Sequence, residues 1–218
     1  MKESVRSILS KYSWLELFMY ALYVAKNTII QYQSGFVFRF KCWINGICIG
    51  SGFKVWGKVI FIKFPGSNIN IGKGLRIVSN PDRYSFNIFP QSKIRTMTSK
   101  ARIVIGDNVG FNSIAITARS QTIRIGNSTM IGGNCQIMDS DGHPLWPPEH
   151  RWAYPGDEYD QSVDIGDNVF IGLNVLILKG VSIGNNSIIA AGSIVTASIT
   201  EDCLAAGIPA KVIKQYST

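Results

Sequence analysis

Between Val163 and Val195 the sequence repeats every six residues. Ile165, Ile171, Ile177, Ile183, Ile189 and Val195 are all β-branched and apolar. Two residues ahead of each stand Val163, Val169, Val175, Val181, Ser187 and Ser193. Three residues after each stand Asn168, Asn174, Gly180, Asn186, Gly192 and Ser198, and all but the last are Asn or Gly, the types that most readily take positive φ. A period of six fits neither the 3.6-residue turn of a helix nor the two-residue alternation of a strand. It fits a chain that turns a corner every six residues, points one branched side chain inward on each side, and stacks its turns into a solenoid.

Fainter copies of the same unit precede it. Ile49, Val55 and Phe61 lie six apart, with Ile47, Phe53 and Val59 two before each. After a slip near Pro65–Asn68 the unit returns at Ile69, Ile71 and Ile77, again at Ile103 and Ile105, and again at Ile125, Ile131 and Ile137. Two stretches break the period. Residues 80–100 carry Pro81, Pro90 and the aromatics Tyr84, Phe86 and Phe89, and read as an excursion with one strand around Lys93–Met97. Residues 138–162 hold both histidines of the chain, Trp146, Trp152 and four prolines. Binding groups tend to sit on such loops, carried by a rigid scaffold. The sequence therefore divides into an N-terminal helical segment (1–34), a β-solenoid (35–200) with ejected loops near 80–100 and 138–162, and a closing tail (201–218).

The N-terminal segment spaces Ile8, Leu9, Tyr12, Leu15, Phe18, Met19, Leu22 and Val24 by threes and fours, and contains no Gly or Pro up to Gln33. It reads either as an amphipathic helix on a membrane surface or as a helix packed on the main domain or a neighbouring subunit. A net charge of +8 and a pI near 9.4 favour anionic partners. The Lys and Arg residues are scattered, so no nucleic-acid recognition face is expected. Four cysteines without a CxxC pair, and only two histidines, give no expected metal site or disulfide framework. Cys135 and Cys203 read as small core residues. With no cleavable leader evident, the expected location is cytoplasmic, in a reducing compartment, with contact at the inner membrane face left open.

The unit Ile165-Gly166-Asp167-Asn168-Val169-Phe170-Ile171-Gly172 resembles the hexapeptide-repeat acyltransferase family. Gly142-His143-Pro144, the run from Ile189 to Thr196 and Gly207-Ile208-Pro209-Ala210-Lys211 resemble its maltose and galactoside O-acetyltransferase branch, and Asp139-Ser140-Asp141-Gly142-His143 is similar to capsule and O-antigen O-acetyltransferases. The resemblance spans roughly residues 101–214. It implies a left-handed parallel β-helix, a homotrimer with active sites at subunit interfaces, acetyl-CoA as co-substrate, a carbohydrate acceptor and no metal.

O-acetylation needs a base for a hydroxyl of very high pKa, a thioester held beside it and donors for the oxyanion. The resemblance makes His143 the catalytic base; His150 matches no motif. A second group normally fixes the tautomer of such a histidine. Asp139 and Asp141 are the nearest acids in sequence, and Asp157 and Glu158 lie across the loop, where a carboxylate would orient the imidazole or bind sugar hydroxyls. Asn112 matches the family's acceptor-contacting asparagine, whose amide both donates and accepts. Phe111 and Trp146 offer rings for a sugar face or for a core. For the cofactor the match carries over Leu173, Ala191, Thr196, Lys211 and Lys214. Phe170 replaces the family's usual Trp, and Ala197 its usual Lys. Two other readings stand beside O-acetylation of a surface polysaccharide: N-acetylation of an amino sugar or antibiotic-like molecule, and a non-catalytic β-helix scaffold.

Overall fold

A computed structural model describes residues 12–89, 91–153 and 156–216. Ile8 and Leu9 of the expected helix lie outside the described residues. The chain winds as the parallel β-solenoid that the six-residue period implied, with the left-handed turn that the resemblance implied. It has three faces. The first stacks Cys48–Ile49, Asn68–Ile71, Arg102–Ile105, Thr122–Ile125, Val163–Ile165 and Ser182–Ile183. The second stacks the start of Lys54–Ile62 with Arg76–Ser79, Gly110–Asn112, Met130–Ile131, Phe170–Ile171 and Ile188–Ile189. The third stacks the end of Lys54–Ile62 with Gln91–Thr96, Ala115–Ala118, Gln136–Met138, Leu176–Ile177 and Ile194–Val195. Lys54–Ile62 bends through a corner and serves two faces. All these pairings are parallel. The tail then adds Cys203–Gly207 and folds Ala210–Gln215 back antiparallel to it.

Inside the prism the register aligns like with like. One row runs Ile49, Ile71, Ile105, Ile125, Ile165, Ile183. A second runs Val55, Ile77, Phe111, Ile131, Ile171, Ile189, and a third Phe61, Ile94, Ile116, Ile137, Ile177, Val195. Most of these side chains are fully buried. Stacking at about 4.8 Å per coil leaves little room at the corners. Asn168, Asn174 and Asn186 take φ near +57°, and Gly180 and Gly192 near +75°, as the sequence requires of those positions; Ser198 is not among the positive-φ residues. At another corner, backbone N–H groups donate to a side-chain oxygen one coil along: Lys73 to Asp107, Asp107 to Asn127, Asn127 to Asp167 and Asp167 to Asn185, at 2.6–2.8 Å. Alternating Asp with Asn keeps carboxylates from stacking directly on one another.

The helix α1 (Trp14–Ile44) corrects the expected boundary at residue 34. It starts at a Ser13–Glu16 capping box and runs on through Gly35. Gly35 is retained in the helix because the face that follows it is packed. Phe38 sits 5.5 Å from Phe53 and 5.4 Å from Phe61, plugging the open end of the core. Lys41 donates to the Val59 carbonyl at 2.8 Å, and Ser34 accepts from the Gly57 amide at 3.0 Å. On the side away from the coil, Leu15, Phe18, Leu22, Ile29, Phe36 and Trp43 are exposed. No helix among the described residues is long and apolar enough to cross a membrane. The first excursion is also shorter than the expected 80–100. The strand expected around Lys93–Met97 forms as Gln91–Thr96 and already belongs to the third face, because Ser92, Ile94 and Thr96 alternate inward.

Coil spacing makes a sharp prediction. An added Cβ on Gly126 would lie 2.4 Å from the Gly166 carbonyl carbon of the next coil. Gly126→Ala is expected to cost at least about 1–3 kcal/mol in urea unfolding; an unchanged midpoint would contradict the close stacking described.

Candidate active site

The second ejected loop leaves the coil at Met138 and rejoins it at Val163. Its root is held by buried polar groups. Asp139 is fully buried, and its carboxylate accepts from the backbone N–H groups of Arg119 (2.7 Å), Ser120 (3.1 Å) and Gln121 (2.8 Å) on the preceding coil. Burial pushes its carboxyl pKa up; those N–H groups pull it partly back, and neighbouring Asp160 adds to the rise. Arg119 and Asp160, both almost completely buried, lie 3.5 Å apart. Ser120 donates to Asp160 at 2.7 Å, and Arg119 donates to the Ser140 hydroxyl at 3.1 Å. The entry (139–140) and exit (160) of the loop are thus tied to one stretch of coil. A second tie comes from Lys179, whose ammonium pairs with Asp141 at 2.5 Å and donates to the Tyr159 carbonyl at 3.0 Å.

Held by these ties, the loop encloses a cavity of about 350 Å³, lined by Asp141, His143, Trp146, Tyr159, Asp160 and Lys179 among others. His143 is exposed, and its ring lies 6.3 Å from that of Trp152. Trp146 is three-quarters exposed and lines the same space. Asp157 and Glu158 form the one-turn 3-10 helix Asp157–Tyr159 at the loop's exit and do not line the cavity. Asp139 does not face it either. Its role as an orienter of the imidazole is corrected, since both oxygens are turned into the coil and hidden from solvent.

A second cavity, of about 660 Å³, runs along the second face. Asn112, Phe170, Leu173 and Ala191 line it, with Phe111 beneath its floor, bringing together two expected acceptor residues and three expected cofactor residues. Thr196 lies outside its lining, and Lys211 and Lys214 sit on the final strand, Lys214 with its ammonium 4.8 Å from the Tyr216 ring. Phe111 is corrected. It is 1% exposed and fills the inward row between Ile77 and Ile131, so its ring presents no face to a sugar. Its position six residues after Ile105 carried that signal in the sequence. The two cavities share no lining residue. Sequence reasoning missed Arg119, Asp160 and Lys179 as the residues that hold the loop; the partners lie some 20–40 positions apart, and no spacing rule links them.

No group of three or more metal-ligating side chains occurs among the described residues. Cys42, Cys48, Cys135 and Cys203 are unpaired thiols. Burial raises the Cys135 thiol to about 11 and the Cys42 thiol to about 12, so neither is a nucleophile at neutral pH.

Residues 162–197 match the family model described as the hexapeptide repeat of succinyl-transferase. The chain is 38% identical over 117 residues to the galactoside O-acetyltransferase of Escherichia coli K12, a match covering 54% of this chain and 56% of that protein. It thus spans little more than half the length of that relative. A longer match, 28% identical over 200 residues and covering 87% of this chain and 84% of the other, is to the E. coli K12 protein named "Putative lipopolysaccharide biosynthesis O-acetyl transferase WbbJ". Among solved structures, a point mutant of AntD, an N-acyltransferase from Bacillus cereus, superposes with a TM-score of 0.60 at 17% identity, covering 83% of this chain and 89% of that one. That likeness is one of fold. The resemblance drawn from the repeat and the His-bearing loop is borne out by these matches.

Removing Asp160 would strip Arg119 of the acid it is paired with inside the protein. Asp160→Ala is expected to destabilise the fold by about 3–5 kcal/mol in chemical denaturation; a loss below about 1 kcal/mol would show that the pair does not hold the loop.

Proposed function

We propose that this hexapeptide-repeat chain is an acetyl-CoA-dependent O-acetyltransferase acting on a carbohydrate hydroxyl, in the modification of a surface polysaccharide such as a capsule or O-antigen. The observation that carries the reading is His143, exposed in an aromatic-lined cavity on a loop whose root is locked by buried hydrogen bonds. In this reading the neutral imidazole takes the acceptor hydroxyl's proton as the new C–O bond forms at the acetyl carbonyl. It returns that proton to the departing sulfur as the C–S bond breaks. Asp141, which lines the same cavity, is the carboxylate we assign to steadying the imidazolium. The apolar groove of Phe170, Leu173 and Ala191 suits the pantetheine arm, and Lys211 and Lys214 suit the phosphates.

His143 and Asn112 line different cavities of one chain. That separation supports an active site assembled between copies, with the loop of one chain closing over the groove of the next, as in a homotrimer.

Two experiments test this. His143→Ala is expected to lower acetyl transfer, followed as free CoA thiol, by about 10²–10⁴-fold with the fold intact; full activity in that variant would rule out the mechanism. Alkali lability of the product separates an O-acetyl ester from an N-acetyl amide. For the assembly, His143→Ala and Asn112→Ala chains, each inactive alone, are expected to regain roughly a quarter of wild-type activity when unfolded and refolded together, because one site in four then draws both intact residues from different copies. No recovery on mixing would place both residues in one chain's site.

A further inference from the structure

The second face carries an outward row as regular as the inward ones. Lys54, Arg76, Gly110, Met130, Phe170, Ile188, Leu204 and Lys214 follow one another rung by rung. From Arg76 to Lys214 is six steps, or roughly 29 Å at about 4.8 Å per step. The floor between is apolar, and the two ends are cationic. The Lys214 end is the one that suits the phosphates of the donor. The other end has no assigned purpose, although it opens into the same groove.

That end is built from Arg76 and Arg83. The Arg83 guanidinium lies 4.2 Å from the centre of the Trp56 ring, so an aromatic face, not an acid, holds it in place. Its sequence neighbour Asp82 is taken by Lys26 at 3.2 Å. Among the described residues no carboxylate pairs with Arg76 or Arg83. Trp56, Val78 and Asn112 form the adjacent outward row, so Arg76 is a diagonal neighbour of Asn112, at roughly 8 Å between backbones. Between them lies Gly110. A Cβ there would meet nothing within 4 Å, and its φ is not in the left-handed region. Neither packing nor backbone conformation requires this glycine. What the missing side chain does is leave the groove floor open beside Asn112 and Arg76.

We propose that the Arg76–Arg83 end of the groove binds an anionic group of the acceptor, a phosphate or a carboxylate, so that the acceptor is a charged glycan and not a neutral sugar. This rests on the acetyltransferase reading and names the substrate class of the same site. Asn112 holds hydroxyls of the sugar to be acetylated, Gly110 gives the sugar room, and the two guanidiniums fork onto the anion beside it. The Arg83–Trp56 stack preorganises one of the two forks.

The test measures both binding and turnover. Probes are UDP-glucose and glucose 1-phosphate for a phosphate, a glucuronate-containing disaccharide for a carboxylate, and maltose as the neutral control. Isothermal titration reports binding without chemistry, and thiol release reports turnover. The wild-type protein is expected to bind at least one anionic probe more tightly than maltose, and more weakly as salt rises. Arg76→Gln with Arg83→Gln is expected to weaken that probe at least about tenfold, in Kd and in KM, while the KM for acetyl-CoA stays within about twofold. Gly110→Leu is expected to fold with wild-type stability and also to lose the probe. Which anionic probe binds decides between phosphate and carboxylate. Equal binding of charged and neutral probes, a rise in the KM for acetyl-CoA in the double variant, or no binding of any anionic probe would each overturn the proposal. Turnover of maltose alone would overturn it and leave the acetyltransferase reading standing. Binding of a charged probe, arginine-dependent but without acetyl transfer to any acceptor, would do the reverse.

Discussion

The structure depends on coil-on-coil stacking of inward side chains. A single coil contributes one branched residue per side and cannot exclude water by itself. Stacked in register, those residues become three continuous rows, and the core is the sum of the rows. The same spacing constrains the rest of the molecule. Backbones about 4.8 Å apart at a corner admit no Cβ at Gly126, and tight turning demands positive φ at Asn168 and Asn174. Side-chain amides and carboxylates satisfy the corner N–H groups that no strand can reach. An open end of such a stack would expose the core. Phe38 of α1 plugs one, and at the other end the tail extends the second face, with Cys203 and Ala205 of Cys203–Gly207 turned inward.

A prism this regular carries its chemistry on what leaves it or lies along it. The 138–162 loop is fixed by different physics from the core. Asp139, Arg119 and Asp160 are charged or ionisable groups inside the protein, tolerable only because each is hydrogen-bonded or paired. That makes the root of the loop rigid while its tip, with His143, Trp146 and Trp152, stays open to solvent. The groove on the second face is shaped by subtraction. Gly110 leaves space in a row whose next rungs carry Met130 and Phe170.

Much of this was legible before any coordinates. The rows, the corners and the ejected histidine all follow from spacing. Where sequence reading failed, a local pattern competed with a distant contact. Gly35 looked like the end of a helix, yet packing of Phe38 on Phe53 and Phe61 carries the helix on to Ile44. Phe111 offered a ring for a sugar face or for a core, and the six-residue register from Ile105 puts it in the core. Asp139 looked like a partner for His143 because only four positions separate them, but its carboxylate is claimed by amides about 20 residues earlier.

The sequence alone determined the solenoid, its six-residue sides and the loop that carries His143, because the shape of each side is set by sterics within six residues. Only the tertiary structure decided which groups face one another across coils: Arg119 with Asp160, Lys179 with Asp141, Arg83 with Trp56. Those pairings join residues brought together by irregular excursions, and the length and path of an excursion are not periodic. Repetition encodes the scaffold locally. The contacts that hold the loop and line the groove exist only once the coils have been stacked.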